Sequence, residues 1–323
     1  MIVTLTLNPS LDEWVRVPRL RLGELNRATQ YVRYPGGKGI NVSRVVHELG
    51  GKTLAVALAG GSDGEILGDL LARYGIPHRF VTVPGSTRNN YQLQSNSPQG
   101  LTQINCPGPR VSAAAVGRLG EVIRRQAVRA SCVVLSGSLP PGAPATTYRR
   151  LIATLRRRQI PTVLDTSGAA LRHGLLARPW LIKPNRQEAE ELLGWRLRRI
   201  ADVAHAAKWL VARGPLLAII SLAAEGAILA VAAQPQVLWA KPPKVPVDSA
   251  VGAGDALVAG FVSGCQATQS LRARPALSFD RRAGEALRLG VACGAAAAMT
   301  PGTELCHRVD VERVFPRVTI RTL

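Results

Sequence analysis

The sequence predicts an α/β protein, with helices covering both faces of a parallel sheet and a small, half-wet sheet standing off the main body. Three observations carry this. After residue 110, short runs of near-continuous apolar residues alternate with longer stretches at helical spacing, as βαβ units do. Between residues 13 and 34, brief segments alternate apolar and polar residues, as thin strands with one wet face do. Polar groups also collect where apolar strands end: Asn8 and Asp12, Ser136-Gly137-Ser138, Asp165, Lys183-Pro184-Asn185 and Ser221. In an open α/β sheet that edge is where ligands bind.

Residues 2–7 alternate apolar residues with Thr and stop at Asn8-Pro9, a strand followed by a turn, with Asp12 in a short polar exit. Residues 14–17 and 30–34 are expected as strands of the small sheet. Pro35-Gly36-Gly37-Lys38-Gly39 opens a helix over 40–49, ended by Gly50-Gly51. A strand at 56–59 and a helix at 63–74 follow, then strand-like runs at 79–83, 90–94 and 101–105. The regular alternation runs helix 113–129, strand 132–136, helix 146–158, strand 162–165, strand 180–183, and helices 186–193 and 203–213. The apolar stretch 216–240 is broken by Ser221, Glu225-Gly226 and Gln234-Pro235-Gln236. It reads as two buried strands and a turn, too interrupted to cross a membrane. Helices are expected from the Gly252 motif through Ala298. The whole, residues 1–323, is expected as one domain.

With 46% apolar and 19% charged residues the chain is globular in composition, not disordered. Its net charge of +20 comes from 41 mostly Arg side chains spread along the chain. No basic tail, zinc-finger spacing or aromatic RNA-binding signature accompanies them, so the reading is a solvated Arg-rich surface and no nucleic-acid partner. The five cysteines are scattered without a Cys-x-x-Cys pair, which fits a reducing cytoplasm better than a zinc site or a disulfide framework. The N-terminal strand lacks a basic n-region, so it is not read as a signal peptide, and a cytoplasmic protein is expected.

Two Gly-rich helix starts carry the chemistry. In Val251-Gly252-Ala253-Gly254-Asp255, side chains vanish where backbone amides begin to point out of a helix N-terminus, a ready site for phosphate or a developing oxyanion. Asp255 follows in the first turn, a carboxylate beside the anion hole. A capped Gly-rich turn is the plain alternative. Pro35-Gly36-Gly37-Lys38-Gly39-Ile40-Asn41 is the second start; its glycines permit close approach of a ligand and Lys38 supplies a point charge. Asn185-Arg186-Gln187-Glu188 has capping-box spacing, yet it also offers oxygen ligands for Mg²⁺ at a strand end.

The set Asn8-Pro9-Ser10-Leu11-Asp12, Pro35 to Val42, Thr87-Arg88, Ser136-Gly137-Ser138-Leu139-Pro140-Pro141-Gly142, Lys183 to Glu188 and Val251 to Asp255 occurs in one order. It resembles the ribokinase-like (PfkB) carbohydrate kinases, in the branch of 1-phosphofructokinases, tagatose-6-phosphate kinases and minor 6-phosphofructokinases. The resemblance implies a Rossmann-like three-layer α/β/α sandwich with a small β-sheet lid, its strands inserted at about 13–34 and 87–105, often doubling as a dimer interface.

It implies that Asp255 is the base and that Gly252, Ala253 and Gly254 form the anion hole. Asp12, Gly36, Gly37, Lys38 and Asn41 would hold the sugar, Lys38 with Arg88 would grip the phosphate already on it, and Ser136 and Ser138 would border its pocket. Lys183, Asn185 and Glu188 would handle ATP phosphates and Mg²⁺, while Ser221, Ala223, Glu225 and Gly226 line the nucleotide side. Three departures from the family pattern stand out: Ala223 where Gly is usual, the uncharged run Asn89-Asn90-Tyr91-Gln92 where a basic residue is frequent, and Gln103 where Glu is common. The expected activity is ATP- and Mg²⁺-dependent phosphorylation of a ketohexose monophosphate, fructose 1-phosphate first, with fructose 6-phosphate or tagatose 6-phosphate as alternatives. An inactive kinase scaffold that binds nucleic acid is the rival from another class.

Overall fold

The computed structural model describes residues 1–97, 99–267 and 281–323. In chain order the first half holds β1 (Ile2–Thr6), β2 (Ser10–Arg19), β3 (Gln30–Gly36), α1 (Lys38–Glu48), β4 (Thr53–Ala59), α2 (Gly61–Arg73), β5 (His78–Thr82), β6 (Arg88–Ser97), β7 (Gln99–Asn105), α3 (Ala113–Gln126), β8 (Cys132–Ser136), α4 (Thr147–Arg157) and β9 (Thr162–Asp165). The second half holds α5 (Gly168–Leu175), β10 (Leu181–Ile182), α6 (Arg186–Leu193), α7 (Ile200–Val211), β11 (Leu217–Ser221), β12 (Ala227–Val231), β13 (Val237–Lys241), α8 (Ala253–Ala267), α9 (Arg281–Ala297), α10 (Arg308–Val314) and β14 (Thr319–Thr322).

Ten strands form one sheet in the order β14-β13-β12-β11-β10-β9-β8-β1-β4-β5. From β5 to β11 every pair is parallel. Alternate residues of one strand serve opposite layers: Ile2 packs with α8 and α9, while Val3 and Leu5 pack with the layer of α3, α4 and α7. That is why these strands read as unbroken apolar runs. α8 is buried on nearly all sides, and Gly260, Gly290 and Gly294 let α8 and α9 approach backbone to backbone. This close packing anchors the helix whose first turn carries Asp255.

The small sheet has the order β3-β2-β6-β7, with β2 and β6 parallel and the outer pairs antiparallel. It lies across the C-terminal edge of the large sheet. Several expectations need correction. The large sheet is mixed rather than all parallel, because β12, β13 and β14 run antiparallel to their neighbours. The stretch 216–240 yields three strands, since Gln234-Pro235-Gln236 is a turn into β13 and not an end. Asp12 sits within β2, paired with Tyr34 and Asn90, not in an exit loop. Helix α5 escaped the sequence reading because Gly168 and Gly174 dilute its helical signal; its Leu171 and Leu175 are buried against the sheet layer. The short α10 and β14 were also not anticipated. The helical expectation across 268–280 lies outside the described residues.

Candidate active site

The N-terminus of α8 is the centre of the site. Gly252 takes φ +79°, and a side chain there would run into Leu305, so the turn into the helix requires glycine. The first amides of an α-helix have no intrahelical acceptor, and those of residues 253–255 begin this one. Asp255 is buried, with its Oδ2 accepting from Asn41 Nδ2 at 2.9 Å. Burial pushes its carboxyl up to about 7; Lys38 opposes that rise, Asp165 adds to it, and the Asn41 bond and Lys183 oppose it. A carboxylate held near neutrality is suited to take a proton from an alcohol.

Asp165, at the end of β9, ties the cationic groups together. It is fully buried, and its Oδ1 lies 3.1 Å from Lys38 Nζ and 3.2 Å from Lys183 Nζ. Burial raises its pKa, but Lys183 and Lys38 more than offset this and hold it below the ordinary carboxylate value. Burial likewise pulls Lys38 down, yet Asp165, Asp255 and Glu188 together drive it above the usual lysine range. Two lysines thus meet around one buried carboxylate beside Asp255. The second Asp165 oxygen, Oδ2, is buried without a hydrogen-bond partner.

The end of the cleft expected to hold the sugar lies under the small sheet. Asp12 Oδ1 accepts from Ser10 Oγ at 2.8 Å and from Asn90 Nδ2 at 3.1 Å, and burial raises its pKa. The backbone at Gly36 passes so close that any side chain there would strike the Asp12 carboxylate. Arg88 donates to the carbonyls of Asn8, Pro9 and Cys106 at 3.0–3.4 Å, and burial lowers its pKa. Lys38 and Arg88 line the same cleft but answer to different partners: Lys38 to the carboxylates around Asp165, Arg88 to the loops before β2 and after β7.

At the end expected to hold the nucleotide, Asn185 and Glu188 form a reciprocal capping box. Asn185 Oδ1 accepts from Glu188 N at 2.8 Å, and Glu188 Oε2 accepts from Asn185 N at 2.8 Å. The other Glu188 oxygen, Oε1, lies 3.8 Å from Lys38 Nζ, although Glu188 itself does not line the cleft as its neighbours Asn185 to Gln187 do. The opposite wall is the turn after β11, where Ala223 adopts φ +49°, a conformation that costs an L residue about 1 kcal/mol. The glycine expected at this position would carry no such strain. Glu225 is tied to Arg186 at 2.5 Å, which joins that turn to α6.

A cleft of about 1260 Å³ gathers most of the expected site: Asp12, Gly37, Lys38, Asn41 and Arg88 from the sugar set; Lys183, Asn185, Ser221, Ala223, Glu225 and Gly226 from the nucleotide set; and Gly252 to Asp255. Ser138 lines an adjoining hollow of about 680 Å³ with Asn8 and Arg88. Ser136 lies fully buried beneath the floor, its carbonyl accepting from Tyr148 Oη at 3.1 Å. Asp165 was visible as a polar strand end, but nothing in the sequence linked it to two lysines far away in the chain. Asn90 and Gln103, two of the departures from the family pattern, also line the cleft together with Asn105; the pairing of β6 with β2 and β7 brings them there. Among the described residues no three acidic, His or Cys side chains gather as a metal site. Asp165 Oδ2, which has no hydrogen-bond partner, and Glu188 Oε1, which faces Lys38, are nevertheless the kind of oxygens that suit a hard cation held mostly by water and phosphate.

Comparison with known proteins agrees with this geometry. Residues 6–309 match the model of the pfkB family carbohydrate kinases. The ATP-dependent 6-phosphofructokinase isozyme 2 of Mycobacterium tuberculosis is 37% identical over 97% of this chain and 88% of its own length. The 1-phosphofructokinase of Bacillus subtilis is 34% identical over the full length of both chains. Phosphofructokinase-2 from Escherichia coli, solved with fructose-6-phosphate, superposes with a TM-score of 0.85 at 31% identity over 98% of each chain, and it has also been solved in a tetrameric inhibited form. A buried carboxylate at a Gly-rich helix start, two lysines near it and a small sheet over one end of the cleft are thus set in a fold shared with phosphofructokinases, and the chain belongs to the pfkB family of carbohydrate kinases, phosphotransferases that use ATP and an alcohol acceptor.

Proposed function

We propose that the chain transfers the γ-phosphate of ATP to a free hydroxyl of fructose 1-phosphate, giving fructose 1,6-bisphosphate. The observation that carries this reading is Asp255, buried in the first turn of α8, poised near pH 7 and flanked by Lys38 and Lys183. Asp255 accepts the hydroxyl proton as that oxygen bonds to the γ-phosphorus and the bond to the β-phosphate oxygen breaks, releasing ADP. The amides that follow Gly252 take up charge on the transferred group, and positioning with electrostatics supplies most of the catalysis. Arg88, the cation at the sugar end, holds the phosphate already present; Lys38 bridges that end to the transfer centre. Asp12, Asn41 and the close backbone at Gly36 and Gly37 hold the sugar, with Ser136 and Ser138 at its border. Asn185 and Glu188 would hold Mg²⁺ through its waters, and the ion would neutralise charge on the ATP phosphates. The small sheet acts as a lid on this single domain.

Fructose 6-phosphate and tagatose 6-phosphate are second readings, favoured by the uncharged amides Asn90, Gln92 and Gln103 at the sugar end, which fix no one position for the substrate phosphate. ADP release measured over a panel of these sugar phosphates tests the choice: fructose 1-phosphate should give the highest kcat/KM. A higher value with either rival overturns it, and no ADP release with any of them supports the inactive, nucleic-acid-binding scaffold.

The free thiols support a cytoplasmic location, and no helix among the described residues is long and apolar enough to cross a membrane. Tyr31, Tyr91 and Ile104 stand exposed on the outer face of the small sheet over the paired Glu13 and Arg33. That face supports a homodimer through the small sheet, which analytical ultracentrifugation of Tyr91→Asp against the parent would test.

A further inference from the structure

A side-chain hydrogen bond joins the small sheet to the segment that leads into α8. In β2, Asp12 and Trp14 share a face, as do Asn90, Gln92 and Gln94 in β6, because strand side chains alternate. The row that begins with the sugar-side pair Asp12 and Asn90 therefore ends, two and four residues on, at Trp14 and Gln94. Trp14 Nε1 donates to Gln94 Oε1 at 3.1 Å, and Gln94 Nε2 donates to Asp248 Oδ1 at 2.9 Å. Asp248 opens the segment that leads into Gly252. Its own backbone N–H donates to Ala298 O at 2.9 Å, and Ser249 Oγ accepts from Val251 N at 3.2 Å. Trp14 is buried against the 300–305 loop, where a Cβ at Gly302 would come within 2.8 Å of the indole, and Leu305 of that loop packs on Gly252.

We infer that Gln94 and Asp248 are positioning residues for phosphoryl transfer. Their hydrogen bond makes the aim of the anion hole depend on the small sheet being seated on the sugar. Neither side chain touches the reacting atoms; both act through the 248–252 segment. Seating the sheet fixes Gln94, Gln94 fixes Asp248, and the turn at Gly252 is then held where its amides meet the transferred phosphate. With the link cut, the turn is free to relax and water competes better with the sugar hydroxyl. Because the bond is solvent-exposed, it can open and close in each turnover.

This inference rests on the reading of the cleft as a phosphoryl-transfer site, which the parent enzyme's turnover tests separately. Gln94→Ala and Asp248→Ala should each lower kcat about tenfold and raise the ratio of sugar-independent ATP hydrolysis to transfer severalfold, with the KM for ATP unchanged. Asp248→Asn, which keeps an acceptor oxygen, should recover most of the lost kcat. Gln94→Glu, which sets two carboxylates together, should recover activity relative to the parent at the same pH as the pH falls. The double alanine variant should be no worse than either single one, since both remove the same link. Additive losses in the double variant, or a kcat unchanged in both single variants, would overturn the inference. So would an Asp248→Asn variant as impaired as Asp248→Ala.

Discussion

Asp255 is asked both to be buried and to ionise. Its folded pKa near 7 lies above the ordinary carboxylate value, so the folded protein holds a proton that the unfolded chain has released. Stability from this group is therefore full below about pH 4 and is lost as pH rises through about 7. Asp255→Asn should remove that pH dependence and melt higher than the parent at pH 8, while losing on the order of 100-fold or more in kcat with little change in sugar binding. Differential scanning calorimetry and steady-state kinetics check the two halves. The parent's kcat/KM should fall on the acid side with a midpoint near 7, as the base gains its proton. Ala223 offers a contrast at the same scale. Its positive φ is strain without a visible return, so Ala223→Gly should relieve about 1 kcal/mol, offset in part by the freedom glycine gives the unfolded chain. The change should also lower the KM for ATP; an unchanged KM would separate the strain from the nucleotide contact.

At the scale of the element, the cap of α6 and the proposed Mg²⁺ contact fall on one residue pair, and mutation separates them. Removing the cap with Asn185→Ala should cost about 1 kcal/mol of stability, read from denaturant midpoints. Glu188→Gln keeps an oxygen for the Asn185 amide, so the cap and the stability should survive. The charge beside Lys38 is lost, and the Mg²⁺ concentration for half-maximal rate should rise about tenfold. A Mg²⁺ dependence that does not move would leave Glu188 as a cap alone. The sequence made this element visible at its correct bounds, because Asn185, Glu188 and the C-terminal Gly194 are local signals. It could not distinguish cap from ligand, because both need the same oxygens at the same spacing. The structure adds that Glu188 has one oxygen on the helix and one toward Lys38.

Across the whole molecule, charge is unevenly placed. Between residues 70 and 187, seventeen Lys and Arg meet two carboxylates, Glu121 and Asp165, and Asp165 is already engaged by Lys38 and Lys183. The outer layer of α3 and α4 holds nine arginines between residues 113 and 158, with Glu121 their one acidic neighbour in that stretch. Arg158 Nη1 reaches the carbonyl of Arg124 at 3.4 Å, so the two helix ends and their arginines adjoin. Like charges this close repel, and salt screens them over about 10 Å at 0.1 M. The melting temperature should therefore rise by a few degrees between 20 and 300 mM NaCl; a fall would mean that attractive pairs dominate instead.

The sequence by itself determined the alternation of strands and helices, the two Gly-rich helix starts and the carboxylate beside one of them, because each is written in neighbouring residues through periodicity, caps and backbone freedom. It also carried the family, through six short motifs in one order. Only the tertiary structure decided that Asp165 clasps Lys38 and Lys183, that Asp12 lies within a strand facing Asn90, and that Gln94 reaches Asp248. Those contacts join residues 18 to 154 positions apart. Sheet order and register set them, and a chain read in one dimension carries neither.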